Sequence, residues 1–416
     1  MKTHTDHALQ ARRCARLALP FLFAVALCVT ANPDTATAAI AAVSQITQAT
    51  SPPSFVSEPS INATGDRVAF VSNADLVPGG NANSKAEVFL FATGSGFEQV
   101  TSSVDGGSSQ PSISADGSRI AFRSTADLVP GGNPDHNSEI FLAVRRFHNV
   151  FRLVQITHSL QGPGVTNSQP SLSADGGRVA FLSTADLVPG GNPDLSLEIF
   201  LAQGSEIKQI THNDPNTFCQ EPSTSSDGSS IAFTCTGDLI PDGIPGRHEA
   251  LFLFTQGQGL TQITPTSATA DVARPVISAN GLHIAFTSTV DLVGSGDSIN
   301  PQVFLFSVGE GFTQVSSGAS GGSQPSISAD GSRISFVSGG QLFIALGSGT
   351  PAPVTSASAD ARFRLPVLSG NGVVIAFESS GDHVPGGNTD RNSELFLARL
   401  RVGPTARPTA AGSESD

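Results

Sequence analysis

The chain has no tryptophan and no tyrosine, although it contains 26 phenylalanines in 416 residues. Proteins that hold sugars or nucleobases commonly stack them on Trp or Tyr rings, so this absence argues against both ligand classes. Basic residues are also few, since 22 Lys and Arg against 35 Asp and Glu give a net charge of −13. Nucleic-acid binding relies on the opposite balance, and we therefore predict no nucleic-acid partner.

Long apolar runs are absent except at 17–29, which is too short to span a membrane comfortably. Basic residues precede this run (Lys2, Arg12, Arg13 and Arg16), and the small residues of 36–38 follow it. The pattern predicts a signal peptide over 1–38, no membrane span, and a periplasmic or secreted protein. Lipidation at Cys28 is an alternative, but the bulky Leu27 before it disfavours this.

Helical periodicity is lacking too, whereas 43 glycines and 27 prolines indicate many short strands joined by turns. A Pro, a Gly six residues later and a Phe eleven residues later recur seven times. The repeat prolines are Pro59, Pro111, Pro170, Pro222, Pro275, Pro325 and Pro366. Each unit contains segments of the types PSIS, RIAF, EIFLA and QIT, which we interpret as the four strands of a propeller blade.

We therefore predict an all-β fold, a seven-bladed β-propeller of four-stranded antiparallel blades over 43–402. The tail over 403–416 is rich in Pro, Ala and Ser and is predicted to be disordered. One QIT segment, at 45–47, precedes the first unit, and none follows the last. We expect a strand at about 43–48 to complete the last blade as its outer strand and so close the ring. Ring closure favours a monomer.

The repeats resemble the PD40 family of TolB-type, WD40-like propellers. The family motif is roughly P-x-W-S-P-D-G-x-x-I-A-F, and it stands here as PSISADGSRIAF at 111–122 and PSISADGSRISF at 325–336. The resemblance implies a propeller that lacks the N-terminal TolB domain. It favours a non-catalytic scaffold that binds a protein or peptide partner in the cell envelope.

Loops after the second and fourth strands should share one face, and both sets are long. We expect this long-loop face to be the binding surface. The residues just before the repeat prolines should lie near its channel mouth: Glu58, Gln110, Gln169, Glu221, Arg274, Gln324 and Leu365. Six of these seven are polar and they differ between blades, so we predict a binding site there. The alternative is a hydrolase or lyase site around Glu58, Glu221 and Arg274.

An insertion in the second unit, Arg145-Arg146-Phe147, adds residue types that are common at binding hot spots. It is a second binding candidate, and an elongated hairpin is the alternative.

Six loops begin with an aspartate that should accept hydrogen bonds from loop N–H groups (Asp75, Asp127, Asp186, Asp238, Asp291 and Asp382). Four of these loops continue with alternating oxygen side chains. The fullest sets are Asn133, Asp135, Asn137 and Glu139, and Asn388, Asp390, Asn392 and Glu394. Such ligands suit Ca²⁺, so a calcium-stabilised structural module is a third hypothesis, against solvated loops with Asx turns. No other cofactor is indicated.

Two cysteines remain in the predicted mature chain, Cys219 and Cys235, and they flank a hairpin in the fourth unit. Because export leads to an oxidising compartment, we predict a disulfide between them. The string G-x-S-x-G at 318–322 lies in a Gly/Ser loop rather than between a strand and a helix, so we assign no catalytic residue.

Overall fold

The computed structural model describes residues 39–48, 54–146, 150–159, 165–213, 217–237, 239–240, 249–265, 271–296, 300–347, 349–355 and 362–401. The predicted signal peptide and C-terminal tail lie outside these ranges. Within them, no helix has the length and apolar character needed to cross a membrane. The described residues form 28 strands in seven four-stranded antiparallel sheets, which confirms the predicted seven-bladed propeller.

Each sheet is one blade, and its strands are numbered along the chain. Blades one and two are β2 to β5 (Val56–Ile61, Arg67–Ser72, Glu87–Ala92, Gly96–Gln99) and β6 to β9 (Ser108–Ile113, Arg119–Ser124, Glu139–Arg145, Phe151–Gln155). Blades three and four are β10 to β13 (Asn167–Leu172, Arg178–Ser183, Glu198–Gln203, Glu206–Gln209) and β14 to β17 (Cys219–Thr224, Ser230–Cys235, Ala250–Thr255, Gly259–Gln262). Blades five and six are β18 to β21 (Val272–Ile277, His283–Ser288, Gln302–Ser307, Gly311–Gln314) and β22 to β25 (Ser323–Ile327, Arg333–Ser338, Gln341–Leu346, Ala352–Pro353). Blade seven joins β26 to β28 (Phe363–Leu368, Val374–Ser379, Glu394–Arg401) with β1 (Ala39–Gln45).

The N-terminal strand closes the ring as predicted, because β1 pairs antiparallel with β28 as the outer strand of blade seven. Its bounds differ from the predicted 43–48, since β1 ends at Gln45. The fourth strands of the first five blades likewise end at the Gln of the QIT-type segment or its variant. The Thr or Ser of that segment therefore lies just beyond the strand, where it contacts the third strand instead of forming ladder pairs.

The repeated phenylalanines form the cores of the blades. In every blade the Phe of the second strand lies opposite a Phe of the third strand, with ring centroids 5.5 to 6.0 Å apart. Phe70 and Phe89 in blade one are both fully buried. Stacked pairs of this kind stabilise more than their buried area alone. The large Phe content thus reflects packing inside blades.

The face with the Asp-Gly turns carries a closed ring of backbone hydrogen bonds. The N–H of Ala63 in blade one donates to the carbonyl of Ala115 in blade two, and five equivalent bonds continue around the ring. The N–H of Asn371 in blade seven donates to the carbonyl of Ala63 and completes it. The seven distances lie between 2.8 and 3.0 Å. Every neighbouring pair of blades is therefore joined on this face by main-chain atoms.

Candidate functional site

The first strand of each blade lines the channel and contacts the first strands of its neighbours. Each of these strands has a bulge at the repeat proline. Proline suits a bulge on an edge strand because it has no N–H to leave unpaired. The residue before the proline has a positive φ in all seven blades, between 46° and 57°. Because this unfavourable conformation recurs in every blade, we attribute it to the fold.

The predicted ring of polar residues forms a hydrogen-bonded belt around the channel. At five of the seven positions, the side-chain oxygen accepts the backbone N–H of its counterpart in the next blade. Glu58 accepts from Gln110 at 2.6 Å, and Gln110 accepts from Gln169 at 2.8 Å. The side chain of Gln169 accepts the backbone N–H of Glu221. Likewise, Glu221 accepts the backbone N–H of Arg274, and Gln324 accepts that of Leu365. Five of the predicted binding residues therefore also join blades.

A second belt runs parallel to the first, one residue beyond the prolines. Ser60 accepts the N–H of Ile113 at 3.1 Å, and Ser112 accepts that of Leu172 at 3.0 Å. In the same way, the N–H groups of Thr224, Ile277 and Leu368 donate to the hydroxyls of Ser171, Ser223 and Ser326, at 2.9 to 3.1 Å. Sequence reasoning missed this belt, although the repeated serine after the proline was its signal.

Both belts are interrupted at the same two blade junctions. In blade five the two acceptor positions hold Arg274 and Val276, and in blade seven they hold Leu365 and Val367. None of these four side chains has an oxygen that could accept a hydrogen bond. The junctions between blades five and six and between blades seven and one therefore lack both side-chain bonds.

A cavity of about 340 Å³ occupies the channel and reaches both interrupted junctions. Its wall contains six of the seven repeat prolines, together with apolar Val276, Leu365 and Val367. Polar groups come from Glu58, Glu221, Arg274 and Gln324. Gln110 and Gln169 do not line it. The volume lies at the low end for small-ligand sites, and the mix of apolar wall and few polar groups is typical of them.

Two further carboxylates lie near the charged residues of this wall. Burial raises the pKa of Glu249, and the neighbouring charges of Glu221 and Asp271 raise it further. Burial also raises the pKa of Glu378, with Glu58 adding to the effect. Sequence reasoning missed both residues because neither belongs to the repeated motif. Glu58 and Glu221 thus each have a second carboxyl group nearby, and Arg364 lies beside that of Glu378.

The insertion residues lie away from this cavity, on the face with the Asp-Gly turns, at the turn after β8. Arg145 forms an ion pair of 2.5 Å with Glu98 of the neighbouring blade, and both side chains are largely buried. Arg146 is exposed. Phe147 lies outside the described residues. The structure thus assigns Arg145 a contact between blades and does not bring the insertion and the channel residues together.

The loop aspartates hold their loops as predicted. Asp127 accepts the N–H groups of Gly131, Gly132 and Asn133, at 2.7 to 3.0 Å. Asp75, Asp186 and Asp382 accept equivalent bonds. Backbone N–H donors lower the pKa of Asp291 to about 2. Asp238 lies outside the described residues.

The residues considered as calcium ligands make hydrogen bonds within their loops and, for the two glutamates, with the segment that follows the fourth strand of the same blade. Glu139 is buried at the start of β8, where Thr157 and Ser159 donate to it, and burial raises its pKa. In blade seven, Thr47 donates to Glu394. The Nδ2 of Asn133 donates to the carbonyl of Asn137 at 3.0 Å. The corresponding bond in blade seven joins Asn388 and Asn392, and Asp390 lies exposed beside them.

The Oδ1 atoms of Asn133 and Asn137 are buried, and neither has a hydrogen-bond partner within the described ranges. In those ranges, no three His, Cys, Asp or Glu side chains are grouped as metal ligands; Asp135 is exposed. Calcium binding by Asn133, Asp135, Asn137 and Glu139, and by their counterparts in blade seven, stays a prediction.

The predicted disulfide is confirmed. Cys219 in β14 and Cys235 in β15 lie directly opposite each other and are bonded. Both are fully buried at the end of the hairpin nearest the long-loop face.

Several solved structures share this fold at low sequence identity. An oligogalacturonate lyase from Vibrio parahaemolyticus matches with a TM-score of 0.58 and 12% identity, over 86% of this chain and 93% of that chain. The β-propeller domain of the Trilobed protease from Pyrococcus furiosus matches with a TM-score of 0.54 and 13% identity, over 84% and 97%. That domain is described as having an open velcro topology, whereas β1 completes the last blade here.

TolB from Acinetobacter baumannii is 17% identical over 82% of this chain and 66% of its own, with a TM-score of 0.44. No family model matches the sequence, and no curated protein does. Likenesses at these identities concern the fold and not the activity. The chain is a seven-bladed β-propeller, as its repeats predicted.

Proposed function

We propose that the protein is exported and binds a protein or peptide partner through its long-loop face, which the loops after the second and fourth strands form. The observation that carries the proposal is an apolar patch there, with Leu195 47% and Phe218 59% exposed. The two residues lie on neighbouring segments, because Leu197 and Phe218 form a bridge. Neighbouring exposed apolar side chains indicate a contact surface.

The segment that carries Phe218 is held in place on both sides. Its N–H donates to the hydroxyl of Thr236 at 2.9 Å. The next residue, Cys219, is bonded to Cys235. A large apolar side chain on an ordered segment loses little conformational entropy on binding, which favours affinity. A structural disulfide also supports export, because such bonds persist in oxidising compartments.

The opposite face offers a matched comparison. Leu282 and Val308 are exposed to a similar extent, 47% and 50%. They are also neighbours, because the N–H of Val308 donates to the carbonyl of Leu282. The two apolar pairs differ in the face on which they lie and in the disulfide beside one of them.

The test is affinity capture from an envelope extract with three forms of the protein as bait. These are the unchanged protein, a Leu195→Ser and Phe218→Ser variant, and a Leu282→Ser and Val308→Ser control, each shown to melt cooperatively. We expect a specific partner that the first variant loses and the control retains, and the proposal then requires direct binding of that purified partner. Equal capture by all three, or no specific partner, would refute the proposed surface.

A further inference from the structure

The junction between blades five and six leaves two backbone donors without the side-chain acceptors found elsewhere. At five junctions, the N–H before the proline and the N–H two residues after it donate to the preceding blade. In blade six these groups belong to Gln324 and Ile327, and the preceding side chains are Arg274 and Val276. Of these two residues, Gln324 lines the cavity, whereas Ile327 is buried behind the wall.

The guanidinium group of Arg274 adds a positive charge at the same place. Its side chain is exposed at the cavity, and no ion pair or hydrogen bond to its guanidinium is found among the described residues. An arginine side chain presents five N–H donors in a planar fork, which matches the two oxygens of a carboxylate. A backbone donor and a cation thus lie on one side of the cavity.

We propose that Arg274 and the N–H group of Gln324 form a subsite for a carboxylate group with an apolar body. The neighbouring prolines and Val276 provide apolar contact for the rest of such a ligand. A doubly charged anion such as phosphate fits less well, because the carboxylate of Glu221 lies on the same wall and repels negative charge.

The second interrupted junction has a different character. There Leu365 and Val367 supply no charge to the cavity wall, and Glu58 is the charged residue that lines it; Glu378 lies near both Glu58 and Arg364. No cationic residue lines the cavity at this junction, although its two N–H groups, of Glu58 and Ile61, also lack side-chain acceptors. It is therefore an internal control for the role of Arg274.

The experiment uses trifluoroacetate as the probe and fluorine NMR as the measurement, with the unchanged protein and three variants. We expect saturable binding that acetate displaces and that Arg274→Gln weakens at least about tenfold. Leu365→Gln should leave binding unchanged. Glu221→Gln keeps the belt acceptor but removes the charge, so it should tighten binding about two- to fivefold.

The same variants carry a second readout, thermal stability, which does not involve a ligand. Glutamine is the belt residue in blades two, three and six, so Arg274→Gln and Leu365→Gln should each supply the missing acceptor. We expect each to raise the thermal midpoint by about 1–3 °C. A gain for Arg274→Gln would also show that its loss of binding is not caused by unfolding.

The inference rests on the proposed function only for the source of the carboxylate, which we assign to the partner. Small-anion binding can succeed where partner capture fails, so the two failures are distinguishable. Absence of saturable binding, or equal binding by Arg274→Gln, would overturn the subsite. If Arg274→Gln loses trifluoroacetate binding but keeps its affinity for a captured partner, the carboxylate does not come from the partner. That result would indicate a free small carboxylate as the ligand.

Discussion

Neighbouring blades are joined by different kinds of hydrogen bonds on the face with the Asp-Gly turns and along the channel. On the face with the Asp-Gly turns, main-chain groups form an unbroken ring of seven hydrogen bonds. Along the channel, side chains form two belts, and both are interrupted between blades five and six and between blades seven and one. A main-chain ring survives any substitution that keeps the turn, whereas a side-chain belt changes with a single residue. The channel wall can thus acquire a site without the loss of the ring.

The largest expected effect concerns ring closure itself. Deletion of 39–45 removes β1, leaves blade seven three-stranded and exposes the edge of β28. We expect the thermal midpoint to fall by roughly 5–10 °C, because a whole outer strand loses its pairing. Calorimetry measures this, and deletion of 404–416 is the control. An unchanged midpoint would mean that the main-chain ring is sufficient to hold the blades.

The next effect compares glycines on the two faces. Gly117 (φ 69°) and Gly131 (φ 76°) both have left-handed backbone conformations, which cost roughly 1–2 kcal/mol for a residue with a Cβ. A Cβ at Gly117 would lie 2.5 Å from the Cδ of Arg67, whereas one at Gly131 would meet no atom within 4 Å. We expect Gly117→Ala to reduce the free energy of unfolding by about 1–2 kcal/mol more than Gly131→Ala does. Urea denaturation of the two variants checks this, and equal losses would contradict tight packing on the Asp-Gly face.

The smallest effect concerns pH and the loop of blade seven. His383 packs against Phe363, Phe377 and Phe396, and burial lowers its pKa, with Asp382 opposing the shift. As pH falls through about 6.5, the unfolded chain takes up the proton first, so the free energy of unfolding decreases.

The blades with a complete loop of this type have Leu at the equivalent position, which makes His383→Leu the matched variant. Urea denaturation at pH 8 and at pH 5.5 should show a larger loss for the unchanged protein than for the variant. Carboxylates are common to both proteins, so their contribution cancels in the difference. Parallel pH profiles of the two proteins would show that the pKa of His383 is not shifted by folding.

The repeat explains why so much of the architecture could be predicted and why the site could not. Seven copies of one motif predicted the blades, and the unmatched QIT at 45–47 predicted the closure. The exact bounds of this closing strand could not be predicted, because Thr47 donates a hydrogen bond to Glu394 and does not pair in the sheet. Glu139 was considered a metal ligand because its oxygen alternates with others along the loop. Burial beside Thr157 depends on a contact 18 residues away, which spacing alone does not reveal.

The sequence by itself determined the class of fold, the number of blades, the closure of the ring and the pairing of Cys219 with Cys235. Each of these follows from the repeated motif or from a departure from it. Only the tertiary structure decided which polar side chains of the channel are engaged in hydrogen bonds between blades. Gln110 and Arg274 hold equivalent positions in the repeat. One accepts a hydrogen bond from the next blade and the other has no atom that can, and this difference becomes physical only when two blades lie side by side.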